Sequence, residues 1–387
     1  MITLTRRSLL GGLCSCSAAA LAACHPTNAP EGPVAAGYRP ALSSEEGGLW
    51  QAMDKAEAES RTSHFRIRNA ELDAYVKEVV CRLAAEQCAD VRVYVMRVPY
   101  FNAQAAPNGM IQVWSGMLLR TQNEAQFAAV LGHELGHYLQ RHSLQRLRDL
   151  RDKASAAAWL GASFGLAGGI AGLAVVSGVP GFSRDQEREA DRIGFELMVK
   201  AGYRPSEVPR VWQNVIAERD SDPEHRERDV FFRSHPDPEE REATLRRLAD
   251  AAGPGGETYV ERYQGQLRSL RGSFLEDEIK LRQYPRTLIV LQEIVAAVGE
   301  DGEIAYYTGE VYRLRDGAGD DKKAREAYER AIAFGTYPPE LHRSLGLMQM
   351  RAGESEAHQS FAKYLQLRPE ASDRAMIQSY MKPQGSS

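Results

Sequence analysis

Residues 131–139 read LGHELGHYL, which sets His133 and His137 four apart inside a helical pattern. The longer stretch 123–142, NEAQFAAVLGHELGHYLQRH, gathers Phe127, Val130, Leu131, Leu135 and Tyr138 on one stripe, with Asn123 as the expected N-cap. At helical pitch, positions i and i+4 share a face, so the two histidines can each direct a ring nitrogen to one point about 2 Å away. Glu134 is rotated about 100° from His133, which places its carboxylate beside such a ligand pair and outside it. Zinc held there would lower the pKa of a water toward about 7, and a carboxylate in hydrogen-bond reach could take the proton as hydroxide attacks a carbonyl. The plain alternative is a helix with two surface histidines flanking an acid. The apolar stripe argues against it, because unpaired polar groups on a buried helix are costly.

A catalytic zinc takes three protein ligands and keeps one position open. Further along, QEREAD at 186–191 puts Glu187 and Asp191 again at i and i+4, on a charged amphipathic helix that stops at Gly202 with Pro205 beyond it. Read alone, two acids on such a helix are a solvated face. Beside HExxH, one can bind the metal while the other holds a ligating imidazole by its second nitrogen.

The 387 residues are 43% hydrophobic and 26% charged, ordinary globular composition and enough chain for two domains with extensions. With 48 basic against 52 acidic residues the net charge is −4, so nothing points to nucleic acid as a partner. Residues 1–24, MITLTRRSLLGGLCSCSAAALAAC, have a basic start at Arg6 and Arg7, an apolar stretch and small residues before a cysteine, the parts of a secretory signal. LAAC at 21–24 resembles a bacterial lipobox, which implies a signal peptide over 1–23, lipidation at Cys24, and a periplasm-facing chain tethered to the membrane without spanning it. TRRSLL also resembles a twin-arginine signal, so either export route fits. His25 after the lipid cysteine, in place of Asp, favours the outer membrane over the inner. The competing reading is a cytosolic protein with an apolar N-terminus.

Cys81 and Cys88 are then the cysteines left in an oxidising compartment. On one continuous helix they would stand roughly 10 Å apart, beyond disulfide reach. If the helix ends near Glu86, with Cys88 leading into a strand, a bridge can form, and a disulfide is favoured over two free thiols.

The proline-rich stretch 24–48 reads as a flexible tether. A helical pattern then runs to about Glu86. DVRVYVMRV at 90–98 alternates like a strand, and Pro107-Asn108-Gly109 turns the chain into a second, MIQVWSG. Residues 154–182 carry no charge, but they are glycine-rich and lie between the two halves of the candidate site. A buried helical hairpin or a lid therefore fits them better than a membrane span. GPGG at 253–256 marks a boundary, so the domains expected are 49–252 and an all-α region 257–382. In the latter, Gly309, Tyr312, Ala324, Tyr328 and Ala331, followed by Gly346, Ala357, Phe361 and Pro369, fall near the small and aromatic positions of a tetratricopeptide (TPR) repeat. A plain helical bundle is the alternative.

HELGH, followed some fifty residues on by SRDQEREAD at 183–191, resembles the zinc endopeptidases related to the CAAX prenyl protease, the heat-shock protease HtpX and the β-barrel-assembly-enhancing protease BepA. The likeness covers roughly residues 70–245. It implies an α+β, mostly helical, zincin-like domain with a small β-sheet and one Zn2+ per chain. His133, His137 and Glu187 would bind the metal, Glu134 would be the general base and Asp191 would orient a ligand. SHPDPEER at 234–241 matches the family's later His and Arg. His235 and Arg241 would then steady the oxyanion, or His235 would close the zinc's open position as a latch. FNAQAAPNGMIQVWSGML at 101–118 is similar to the family's edge strand, along which an extended substrate adds as a further strand.

The resemblance also implies substrates among misfolded or misassembled envelope proteins, and an assembly-machinery partner engaged through the TPR-like repeats. HtpX-like members carry several membrane spans, whereas this chain offers at most one candidate segment, 154–182. The other reading of the same sequence is a latched, mostly non-cleaving repeat scaffold or chaperone. A structural zinc site is weaker, since it would leave Glu134 idle and would more usually employ cysteines.

Overall fold

A computed structural model describes residues 32–150, 181–223 and 230–382. The expected signal at 1–23, Cys24 and all but the last two residues of the apolar segment 154–182 lie outside the described residues. Among those described, no helix is long and apolar enough to cross a membrane.

The helical run before the sheet is two helices, α1 (Glu45–Thr62) and α2 (Ala70–Ala84). The break falls where Arg66 bridges to Met96 and where the Asn69 side chain accepts the N–H groups of Glu71 and Leu72, a cap that periodicity alone overlooks. α2 stops at Ala84, and a 3-10 turn over Ala85–Ala89 folds Cys88 back onto Cys81, with Cα atoms 4.6 Å apart and the sulfurs bonded.

The tether reading of 24–48 fails for the described part of that stretch. Val34 is buried and its N–H donates to Leu139 O (2.8 Å), while Gly37 N–H donates to Asp90 (2.6 Å). Tyr38 hydroxyl donates to buried Glu46 (2.8 Å), which also pairs with Arg141 (3.1 Å). A few anchoring side chains hold a proline-rich strap that composition marks as loose.

Strands β1 (Arg92–Met96), β2 (Ala103–Ala105) and β3 (Met110–Trp114) form one sheet in the order β1-β3-β2, parallel between β1 and β3 and antiparallel between β2 and β3. Central β3 is buried along its whole length, and β2 is an edge. Then come α3 (Ser115–Arg120) and the HELGH helix α4 (Glu124–Leu139), capped by Asn123, whose side chain accepts Gln126 N–H. Glu124 in its first turn is fully buried, where it accepts from the hydroxyls of Tyr75 (2.9 Å) and Tyr203 (2.7 Å) and offsets the helix dipole.

α5 (His142–Asp149), α6 (Arg184–Lys200), α7 (Glu207–Asp220), α8 (Val230–Ser234) and α9 (Pro238–Ala252) complete this half. α6 starts on a capping box at Ser183 and Gln186. It crosses α4 with backbones nearly touching: a Cβ on Gly132 would lie 2.8 Å from Gly194 O, one on Gly136 2.8 Å from Ala190 O, and one on Gly194 2.5 Å from His133 N. This approach is why the glycines stand where they do, and it carries Glu187 and Asp191 alongside the two histidines of α4.

Beyond 257 come helices: α10 (Val260–Leu267), α11 (Arg271–Lys280), α12 (Tyr284–Val298), α13 (Gly302–Arg315), α14 (Asp320–Phe334), α15 (Glu340–Ala352), α16 (Ala357–Leu367) and α17 (Arg374–Tyr380). α13 lies against α14 with Gly309 under the Tyr328 ring, and α15 against α16 with Gly346 under Phe361.

The two halves are tied by Arg120, buried between Glu218 (2.7 Å) and Glu278 of α11 (2.9 Å). Arg120→Leu should cost about 3–5 kcal/mol of stability, because it strands two carboxylates away from water. Denaturant midpoints check this; a midpoint unchanged from wild type would mean that the tie contributes nothing.

Candidate metal centre

α4 presents His133 and His137, α6 presents Glu187, and the turn after α8 presents His235. One ligand atom from each lies within 4.8 Å of all the others, and all four residues are buried. His133 Nε2 is 3.0 Å from His137 Nε2 and 3.2 Å from His235 Nδ1. Glu187 Oε1 is 3.0 Å from His235 Nδ1 and 3.4 Å from His137 Nε2, and its Oε2 is 3.5 Å from His133 Nε2. Four ligands at zinc distances of about 2.0–2.1 Å in a tetrahedron would stand roughly 3.3–3.4 Å apart, so this donor set has the size and chemistry of a closed metal site.

The tautomers agree. His133 Nδ1 is 2.9 Å from Asp191 Oδ1, so it carries the proton and donates it, leaving Nε2 with a bare lone pair. A second bare nitrogen or a carboxylate oxygen aimed at that lone pair repels it unless a proton or a cation lies between them. Burial holds His133 down at about 4 and His137 well below its usual range, so both imidazoles are neutral, as ligands must be. Burial opposes ionisation of Glu187, yet His235 and Arg241 hold its carboxyl well below the ordinary range. Burial likewise opposes His235, but Glu187 and Glu134 raise it above the usual histidine value.

Glu134 stands outside the set. Its Oε2 accepts the N–H of Ala105, on edge strand β2, at 3.2 Å, and its Oε1, 3.6 Å from His235 Nε2, has no hydrogen-bond partner. Burial pushes its carboxyl up to about 7; Glu187 adds to this, while His235 and the Ala105 N–H oppose it. A carboxylate balanced near neutrality is fitted to accept and return a proton.

Arg241 is buried against the ligand group. Its guanidinium forks onto Asp191 (2.8 and 2.7 Å), reaches Glu187 (2.9 Å) and sits 4.1 Å over the Trp212 ring. It also lies 3.0 Å from His133 Nδ1, so the guanidinium braces Asp191, Glu187 and the His133 ring together. Asp191, despite burial, is held well below its usual range by Arg241 and His133.

His235 belongs to the same group. Its Nδ1 faces His133 Nε2 and Glu187, and its ring is stacked on Phe231 with ring centres 4.5 Å apart. Sequence reading missed three residues here: Trp212 under Arg241, Phe182 stacked on His137 at 4.0 Å, and His142, whose Nδ1 is 2.9 Å from His137 Nδ1. Trp212 and Phe182 left no local signal. His142 left one, the third histidine in ten residues.

Residues 66–249 match the model of peptidase family M48. The chain is 33% identical over 148 residues to the mitochondrial metalloendopeptidase OMA1 of Schizosaccharomyces pombe, covering 37% of this chain and 44% of that protein. It is 29% identical over 167 residues to the beta-barrel assembly-enhancing protease of Escherichia coli, covering 40% and 33%, and 35% identical over 106 residues to the metalloprotease YcaL of E. coli, covering 26% and 41%. The chain thus spans less than half the length of each of these relatives. The family match, residues 66–249, falls on the segment that builds the buried ligand group.

Proposed function

We propose that the chain is a zinc-dependent endopeptidase of the bacterial cell envelope that cleaves misfolded or misassembled envelope proteins. The observation that carries this reading is Glu134: a buried carboxylate oxygen without a partner, next to a converged metal-ligand set and tied through Ala105 to an edge strand. His133, His137 and Glu187 would hold one zinc. When bound, zinc supplies Lewis-acid polarisation of the scissile carbonyl and acidifies water.

The chain's own residues do the rest. Glu134 Oε1 takes the proton of the attacking water and returns it to the leaving nitrogen. Asp191 fixes the His133 tautomer, and Arg241 keeps Asp191 and Glu187 ionised and in place. An extended segment adds along β2, whose Ala105 touches Glu134, so cleavage falls within accessible unfolded stretches. The helix pairs after residue 300, with a glycine under an aromatic ring in each, would act as TPR-like repeats that hold the substrate or a partner of the assembly machinery. LAAC at 21–24 supports a lipid anchor at Cys24, and His25 after it favours placement at the outer membrane. Cleavage of unfolded casein by the zinc-loaded chain tests the enzymatic reading; intact casein after prolonged incubation, for wild type and unlatched variants alike, would refute it.

A second reading has its own observation. His235 occupies a fourth donor position and the whole group is buried, as a latched site would be. A chain that stays latched would act chiefly as a scaffold. His235→Ala should raise basal casein cleavage several-fold with zinc content unchanged, and activity equal to or below wild type would remove the latch.

A further inference from the structure

His142 stands five residues after His137, and on a continuous helix it would be turned about 140° away from it. It meets His137 because Arg141 takes the left-handed conformation (φ 55, ψ 33), ending α4 and starting α5 at His142. That turn is held from outside: the Arg141 side chain pairs with Glu46 (3.1 Å), lies 4.7 Å from the Tyr38 ring centre and donates to Gly32 O. The result is a fully buried imidazole edge-on to His137, ring centres 4.9 Å apart, with Nδ1 2.9 Å from His137 Nδ1 and Nε2 3.2 Å from Glu189 Oε2 on α6.

The two histidines of HELGH are therefore backed differently. His133 leans on a buried carboxylate, Asp191, whereas His137 leans on an imidazole whose far nitrogen reaches a half-exposed carboxylate. One proton arrangement lets His137 offer Nε2 as a ligand. Its Nδ1–H donates to His142 Nδ1, and His142 carries its own proton on Nε2, directed at Glu189. The reverse arrangement protonates His137 Nε2 and points that hydrogen into the ligand group, which suits a metal-free chain.

We propose that His142 is a positioning residue of the metal centre: by accepting the Nδ1–H of His137 it selects the tautomer and ring orientation in which His137 can bind metal. This rests on the metal-site reading above. Outer partners of ligating histidines commonly change metal affinity roughly 10–100-fold when replaced.

The test compares two polar replacements in the full chain. Asn puts its Oδ1 where His142 has Nδ1 and keeps the acceptor; Gln reaches the Nε2 position and loses it. Zinc affinity, measured by competition with a chromophoric chelator, should stay within about threefold of wild type for His142→Asn and fall roughly 10–100-fold for His142→Gln. With cobalt as the probe, the visible bands of His142→Gln should shift while those of His142→Asn match wild type. Equal affinities and equal spectra for the two variants, or Gln the tighter, would overturn the proposal. Failure of wild type itself to bind zinc or cobalt would refute the metal-site reading instead, so the two failures are separable.

Discussion

Glu134→Gln is expected to leave one zinc per chain and to slow casein cleavage by roughly 10²–10⁴-fold, the usual worth of a positioned general base. The substitution keeps the shape and the acceptor for the Ala105 N–H, and removes only the oxygen that can take a proton. That oxygen is the partnerless one, and it belongs to a group whose carboxyl burial has pushed up to about 7. Metal content by elemental analysis, read beside cleavage, checks both halves. Loss of zinc together with activity would make Glu134 a ligand and displace it as the base, and full activity with zinc retained would free it of any role in the reaction.

Gly194→Val should damage fold and site together. A Cβ at Gly194 would stand 2.5 Å from His133 N and 2.6 Å from Gly132 C, both backbone atoms that cannot swing aside. α6 must then move off α4, at a cost of about 1–3 kcal/mol and more if the helices cannot adjust. The same shift withdraws Glu187 from the two histidines, so zinc affinity should fall by at least tenfold even where the variant still folds. Gly265→Ala is the matched control. Nothing lies within 4 Å of its added Cβ, and in the interior of α10 the change should be neutral or stabilising by up to about 1 kcal/mol. Thermal unfolding and chelator competition on both variants check the contrast; equal behaviour would show that the close crossing does not position the ligands.

Helical periodicity carried much of the site, because its key pairs obey local geometry. His133 with His137, and Glu187 with Asp191, are each i and i+4 on one helix, so spacing alone puts each pair on a shared face. Bringing the two helices together is a tertiary fact, and its trace in the sequence is the small residue at Gly132, Gly136, Ala190 and Gly194, which gains meaning only once the crossing is seen.

The misses share one cause. The break between α1 and α2 depends on the Asn69 cap, the docking of residues 34–46 on a few buried contacts, and the approach of His142 on one left-handed residue at Arg141. Each turns on one or a few residues, invisible to composition and to periodicity. Arg241 was found by its motif, but its fork onto Asp191 was not, since a motif fixes spacing along the chain and leaves the direction of a long side chain open.

Zinc dependence in the purified chain tests the central claim most directly. Elemental analysis should find one zinc per chain; exhaustive chelation should abolish casein cleavage, and one equivalent of zinc should restore it. A chain that carries no zinc when purified in its presence, or that cleaves at the same rate after the metal is stripped, would contradict the assignment of His133, His137 and Glu187 as a catalytic metal site.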